Sequence, residues 1–261
     1  MNKFTAVAIA IIVLCFGGLI IWSTTSKGNS ISLDGYDENK IIEASDDNGN
    51  IGDHVRGKAD SKVIVLEYAD LSCPGCANMM PRMSKLYEDY GDKVAFVFRH
   101  FPLKDHQNSR SASAAIESAG YQDYYWEMLE ALYSKRSDWL YATGQERTDI
   151  YAKIFKEIAP DGDEVKFRND MNDGRIEKKI GFDYNIGKDK SGVTATPAIY
   201  VNGKAIDMTE DKKTFDDITD DIKKLIEDGL KEEDKDQKSE DKKDDEKKES
   251  EDKKSEDKKD K

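Results

Sequence analysis

Short apolar runs and helical spacings divide the chain between residues 51 and 230. Val63-Ile64-Val65-Leu66-Glu67-Tyr68 is rich in β-branched residues and reads as a buried strand. Val94-Ala95-Phe96-Val97-Phe98 reads as a second. Between them, Ala77, Met80, Met83 or Pro81, and Leu86-Tyr87 recur at helical spacing from Pro74 to Tyr90. A strand, a helix and a strand of these lengths predict a βαβ unit with a parallel pair. Ala112, Ala115, Ile116 and Ala119 predict the next helix, which Trp126, Leu129 and Tyr133 continue beyond Gly120. Ile150, Ile154, Phe155 and Ile158 mark another, stopped by Pro160-Asp161-Gly162, and weaker patterns cover 163–172 and 175–185. Strand character returns at Ala198-Ile199-Tyr200-Val201, then Asn202-Gly203 and Lys204-Ala205-Ile206-Asp207, which predicts a hairpin. Phe215, Ile218, Ile222, Leu225 and Ile226 form the apolar stripe of a last helix ending near Gly229.

The flanks differ from this core. Phe4 to Trp22 gives 19 positions without a charge, about what a helix needs to cross the hydrocarbon layer. An uncleaved transmembrane anchor is the expectation there. A cleaved secretory signal is the alternative, but its apolar stretch is normally shorter and ends at a small-residue site, which Ser23-Thr24-Thr25-Ser26 matches only loosely. A lipoprotein at Cys15 is disfavoured because Leu14 precedes it. Each reading puts the rest of the chain outside the cytoplasm. Residues 23–50, rich in Ser, Asn, Asp and Gly, read as a flexible linker. Residues 231–261 hold 12 Lys and 15 Asp or Glu with no apolar residue and repeat Ser-Glu-Asp-Lys-Lys, so the tail is expected to be disordered.

Composition becomes informative once the tail is set aside. The whole chain is 36% charged with a net charge of -13. The first 230 positions keep 29 basic and 39 acidic residues, near the charge density of a globular domain. That acidic balance excludes a general nucleic-acid binder, which needs a basic footprint. Three cysteines are too few for a disulfide scaffold.

The candidate chemistry is Cys73-Pro74-Gly75-Cys76, which follows the first strand and opens a helix. Two sulfurs at this spacing can meet within one turn, and the first lies where helix N–H groups and the macrodipole favour a thiolate. Pro74 suits the first helical position. A zinc site would need two more ligands, for which His100 and His106 are available, but no second knuckle follows. Neither a metal nor another cofactor is therefore expected. Glu67, six residues before Cys73, interrupts an apolar strand. A buried acid there has a role or a partner; an edge position facing water is the plainer alternative. Thr196-Pro197 stands at the start of a predicted strand, where a cis bond would present the Thr196 backbone to an extended substrate, and Pro81 should kink the helix after the cysteines. The three histidines are expected to be structural.

Glu67, Cys73-Pro74-Gly75-Cys76, Pro81, Arg99-His100-Phe101-Pro102-Leu103 and Gly192-Val193-Thr194-Ala195-Thr196-Pro197-Ala198-Ile199-Tyr200-Val201-Asn202-Gly203-Lys204 together resemble the thioredoxin superfamily. Within it the chain is similar to DsbA-like thiol–disulfide oxidoreductases of the membrane-anchored BdbD type. The resemblance covers residues 51–230. It implies an α/β thioredoxin-like fold, a central mixed sheet flanked by helices, with a helical insertion at about 106–190. It implies a cis peptide at Pro197, catalysis by Cys73 and Cys76, and Glu67 as proton carrier for Cys76. Thr196, Pro197, Pro74 and Gly75 would line the substrate site. Dithiols of secreted or surface proteins would be the substrates, and a quinone-linked membrane partner would reoxidise the enzyme. No dimerisation module is visible, so a monomer is expected. Strong oxidants of this family often carry Pro-His between the cysteines, whereas this chain has Pro-Gly, and isomerase-type relatives also have Thr before the cis-proline. Oxidase, isomerase and reductase thus stay open, beside a surface protein with a static disulfide.

Overall fold

The computed structural model describes residues 31–208 and 213–256. The predicted anchor at 4–22, Cys15 and the last five residues of the tail lie outside them. Among the described residues no helix is long and apolar enough to cross a membrane.

Five strands form one mixed sheet: β1 (Val55–Gly57), β2 (Ile64–Ala69), β3 (Ala95–His100), β4 (Ala198–Val201) and β5 (Lys204–Ala205), in the order β1-β3-β2-β4-β5. The predicted βαβ unit is present, with β2 and β3 parallel and Glu67 opposite Phe98. The other pairs are antiparallel, and Glu67 faces Ile199 across β2 and β4. Both central strands are buried along almost their whole length, as their continuous apolar sequences require of a sheet covered on two faces. The Asn202-Gly203 turn has positive φ at both residues, 48° and 76°, the geometry that selects Asn-Gly between two strands.

The helix after β2, α1 (Pro74–Tyr90), has the predicted bounds and keeps Pro81 inside it. After β3 the chain leaves the sheet for six helices before returning as β4. These are α2 (Ser109–Gly120), α3 (Tyr125–Ser134), α4 (Arg136–Trp139), α5 (Gly144–Ile158), α6 (Glu164–Asp170) and α7 (Gly174–Asp189), which together form the helical insertion. Side chains alternate along β2. Val65, Glu67 and Ala69 look toward α1, and Leu66 and Tyr68 toward the opposite face. One core joins Met79, Met83 and Leu86 of α1 to Val65, Phe96, Ile199, and to Ile222 and Ile226 of the last helix. A second joins Cys76 and Met80 to Phe98, Ile116, Leu129 and Phe155 of the sheet and insertion. Helix α1 thus holds the two cores together, with the cysteines at its head. On the opposite face α7 approaches closely, and a Cβ on Gly187 would lie 2.8 Å from the Tyr68 ring.

Two expectations are corrected, and two short elements join those read from the sequence. Residues 37–50 do not run as a free linker. Ile42 and Asn48 are buried, Ile42 and Asp53 exchange hydrogen bonds of 2.8 and 2.9 Å, and Asn48 closes a capping box on a 3-10 turn at Asp46–Asn48. The segment is held by polar contacts, which leave no apolar period to read. Strand β1 and the single-turn α4 went unpredicted because each is too short to carry a period. Helix α8 (Phe215–Glu256) runs through most of the tail expected to be disordered. Its lysines and acids recur three and four residues apart, a spacing that supports a solvated helix without a core.

Candidate active site

The strand β2 ends in the loop Asp70-Leu71-Ser72, and Cys73 caps α1 with extended backbone (φ -74°, ψ 125°) while Pro74 occupies the first turn. Asp70 fixes this loop. One carboxylate oxygen accepts from the Ser72 N–H at 2.7 Å and the Ser109 hydroxyl at 2.6 Å. The other accepts from the Leu103 N–H at 2.9 Å and His106 Nδ1 at 2.8 Å. The Asp70 carbonyl in turn receives the Cys73 N–H at 3.0 Å and the Tyr133 hydroxyl at 3.4 Å. Arg136 Nε donates to the Ser72 carbonyl at 3.2 Å. Asp70, Tyr133 and Arg136 were missed as site-building residues. Only Asp70 left a trace, an acid between an apolar strand and a cysteine.

Cys73 and Cys76 are both free thiols and both buried. Their environments differ in sign. The Cys76 thiol, the Thr196 side chain and the N–H groups of Cys76 and Gly75 hold Cys73 down to about 5, against the burial that would raise it. Burial, the contact with Cys73 and the charge of Glu67 push Cys76 well above the ordinary thiol value. Cys73 Sγ donates to the Thr196 carbonyl at 3.3 Å, and the Thr196-Pro197 bond is cis. A Cβ on Gly75 would meet Pro197 Cδ at 3.3 Å and Cys73 Sγ at 3.6 Å, so Pro74-Gly75 and Thr196-Pro197 form two sides of one notch at the sulfur. A groove of about 360 Å³ runs along Gly192–Ala195 and Pro197–Tyr200.

Glu67 is only 4% exposed, in a central strand. The edge-strand alternative is therefore excluded. Burial, and then the charge of Cys73, raise its carboxyl to about 8. Among the described residues no cation pairs with it. It lines a cavity of about 30 Å³ with Arg56, Met83, Tyr87, Phe98 and Trp126. That is room for a single water molecule.

All seven residues singled out from the sequence thus gather at the head of α1, on β2 and at the start of β4. The histidines do not join them. His106 holds Asp70, while His54 and His100 each bond Glu117, at 2.9 and 2.8 Å.

The mixed sheet, its helical insertion and a cysteine pair at a helix N-terminus define a thioredoxin-fold protein. A family model described as thioredoxin matches residues 49–224, and the chain belongs to that family. It is 30% identical over 172 residues to the probable disulfide bond formation protein D of Bacillus cereus, covering 61% of this chain and 76% of that one. The crystal structure of oxidised BdbD from Bacillus subtilis superposes with a TM-score of 0.58 at 25% identity, covering 74% of this chain and 98% of the other. The Na(+)/H(+) antiporter NhaA 1 of Mycolicibacterium gilvum is 30% identical over 155 residues, 58% of this chain. The chain spans only 24% of that antiporter's length.

Proposed function

We propose that the chain is a DsbA-like thiol–disulfide oxidoreductase that forms disulfides in secreted or surface proteins, with its catalytic domain outside the cytoplasm. The observation that carries this reading is the opposite displacement of two adjacent thiols, Cys73 down to about 5 and Cys76 well above its ordinary value. A static structural disulfide has no use for that asymmetry. The likeness to disulfide bond formation protein D and BdbD supports the same class.

The cycle starts from a Cys73–Cys76 disulfide. A substrate thiolate attacks Cys73 sulfur, the intramolecular S–S bond breaks, and Cys76 leaves with the electron pair. Because Cys76 is a poor thiolate, it must take a proton. Glu67, still protonated at neutral pH, supplies that proton. The second substrate thiolate then attacks the substrate's own sulfur. Cys73 departs as a thiolate stabilised at the helix N-terminus, and the substrate leaves with its disulfide. The enzyme is left as the dithiol and has accepted two electrons. A quinone-linked membrane partner removes them, and residues 4–22 anchor the domain beside it. The Thr196 carbonyl and Pro197 hold an extended substrate by strand-like pairing next to Cys73.

The equilibrium potential of Cys73/Cys76 against glutathione tests this. A value between about -120 and -180 mV supports the oxidising role, about -270 mV a reductase, and below about -300 mV a static bond. Cys73→Ser should abolish turnover of a dithiol peptide. After reduction of intact cells with an impermeant phosphine, labelling of Cys73 with a membrane-impermeant thiol reagent should succeed.

A further inference from the structure

The wall of the Cys73 loop that faces away from Pro197 leads into a second cavity, of about 430 Å³. Lys104, His106, Arg110 and Arg147 line it, with Leu103 and Tyr184 beside them. None of the described residues lining it is acidic, although the chain as a whole carries -13. The nearby acids are engaged or turned elsewhere. Asp70 is buried under four donors, Glu177 pairs with Arg110 on the exposed side, and Asp105 is exposed to solvent.

One cation in this cavity is held in place. Arg147 Nη1 donates to Asn108 Oδ1 at 2.8 Å. Asn108 is itself pinned by bonds from its Nδ2 to the carbonyls of Trp139, Leu140 and Ala142 at 3.0, 3.0 and 2.8 Å. The Arg147 Nε atom is fully buried and has no hydrogen-bond partner among the described residues. That atom is closed to solvent, so a carboxylate in the cavity would meet the outer nitrogens of the guanidinium in a charge-assisted bond. Ser109, Arg110 and Ser111, also on the wall, form the first turn of the 12-residue α2, which has no acid in that turn and no side-chain cap. Its free N–H groups add to the positive field.

The cavity is tied mechanically to the reacting sulfur. Leu103 and His106 of its wall share the Asp70 carboxylate with the loop that carries Cys73, and the Ser72 hydroxyl donates to the Gln107 carbonyl at 2.6 Å.

We infer that the cavity is a substrate subsite that binds the carboxylate of an acidic residue flanking the reacting cysteine, through Arg147 and Lys104. This deepens the oxidoreductase reading and rests on it for the word substrate. The recognition itself is a binding event and is testable apart from turnover. Two peptides of one sequence, with Glu or with Gln beside the cysteines, are made in a dithiol form and in a form with Ser in place of Cys. Calorimetry on the serine peptides at low salt should show the Glu peptide binding about tenfold more tightly to the wild type. That preference should collapse in Arg147→Gln and in the exposed Lys104→Gln, while the Gln peptide binds all three proteins alike. The dithiol peptides report the activity separately, and the preference should reside in KM, not in kcat. Equal affinities for the two peptides in the wild type would overturn the subsite, as would a preference that persists in both variants. Inorganic phosphate that binds the wild type without displacing the Glu peptide would assign the cavity to a free anion and overturn it as well.

Discussion

Glu67 is a carboxyl group enclosed by Met83, Phe98 and Trp126, and burial raises it to about 8 from an ordinary 4.5. Such a group is protonated at neutral pH and close enough to release that a thiolate product can draw on it. Glu67→Gln removes the exchangeable proton and keeps the shape. Turnover at neutral pH should fall, by up to about 10²-fold, and its pH profile should lose the ionisation near 8. The same substitution should stabilise the protein at every pH above about 4.5. An acid whose folded value is raised costs nothing below 4.5, costs progressively more from there up to about 8, and no more beyond it. Urea midpoints of Glu67→Gln and wild type should therefore agree below about pH 4.5, separate steadily through neutrality and keep a constant gap above about 8, with the variant higher. The neighbouring thiol makes a second case. The largest influence holding Cys73 down is its hydrogen bond from Cys76, ahead of the N–H groups at the helix end. Cys76→Ala should accordingly raise the Cys73 titration above about 5, as followed by thiolate absorbance, while leaving it below 9.0. A Cys73 that titrates unchanged in this variant would shift the credit to the helix terminus alone.

The elements divide by how much of their stability is apolar. Strand β2, α1, β3 and the β4–β5 hairpin could be read from residue pattern because each buries an apolar stripe or run against the two cores. The candidate site was legible for the same reason. Cys73, Cys76, Glu67 and Thr196-Pro197 sit at the ends or centres of those very elements. What could not be read is held by polar groups. The segment 37–53 is fastened by Arg99, which donates to the carbonyls of Glu38 and Lys40 at 2.7 and 2.6 Å and pairs with Asp53 at 2.7 Å. Lys179 of α7 joins Asp53 at 3.1 Å and Asp183 at 2.8 Å, all buried. Such a network brings together residues 126 positions apart and leaves no period in either segment. Against its burial, Lys179 and Arg99 hold Asp53 down to about 2. Its contribution to stability is complete above 3.8 and is lost as pH falls through about 2. Asp53→Asn leaves two cations under-compensated in the interior, so it should cost about 3–5 kcal/mol in urea denaturation at neutral pH. The loss should shrink in strong acid, where the wild type has lost the same charge.

At the scale of the whole molecule, the charged tail and the net charge of -13 bear on solubility, while the redox preference is a difference in folding stability between two covalent forms. In an unfolded chain both thiols ionise near 9.0, whereas in the fold Cys73 ionises near 5. The dithiol form therefore gains folding stability from the Cys73 thiolate, and the disulfide form, which has no thiolate, does not. A group whose folded value is depressed contributes fully above its unfolded value, and the contribution disappears as pH falls through the folded one. The contribution is thus largest near 9 and vanishes near 5. Glu67 acts in both covalent forms and largely cancels from the difference. Cys76, displaced upward, weakens the dithiol form only in alkali beyond its ordinary 9.0. Parallel urea titrations of the two forms should show the stability of the dithiol form, relative to the disulfide form, rising steadily between pH 5 and pH 9. The crosslink itself closes a very short loop, which adds about 2 kcal/mol to the disulfide form at every pH and leaves the slope untouched. A difference that stays flat or falls over this interval would mean that the fold does not stabilise the Cys73 thiolate. The oxidising role would then lose its physical basis even if the two cysteines proved reactive.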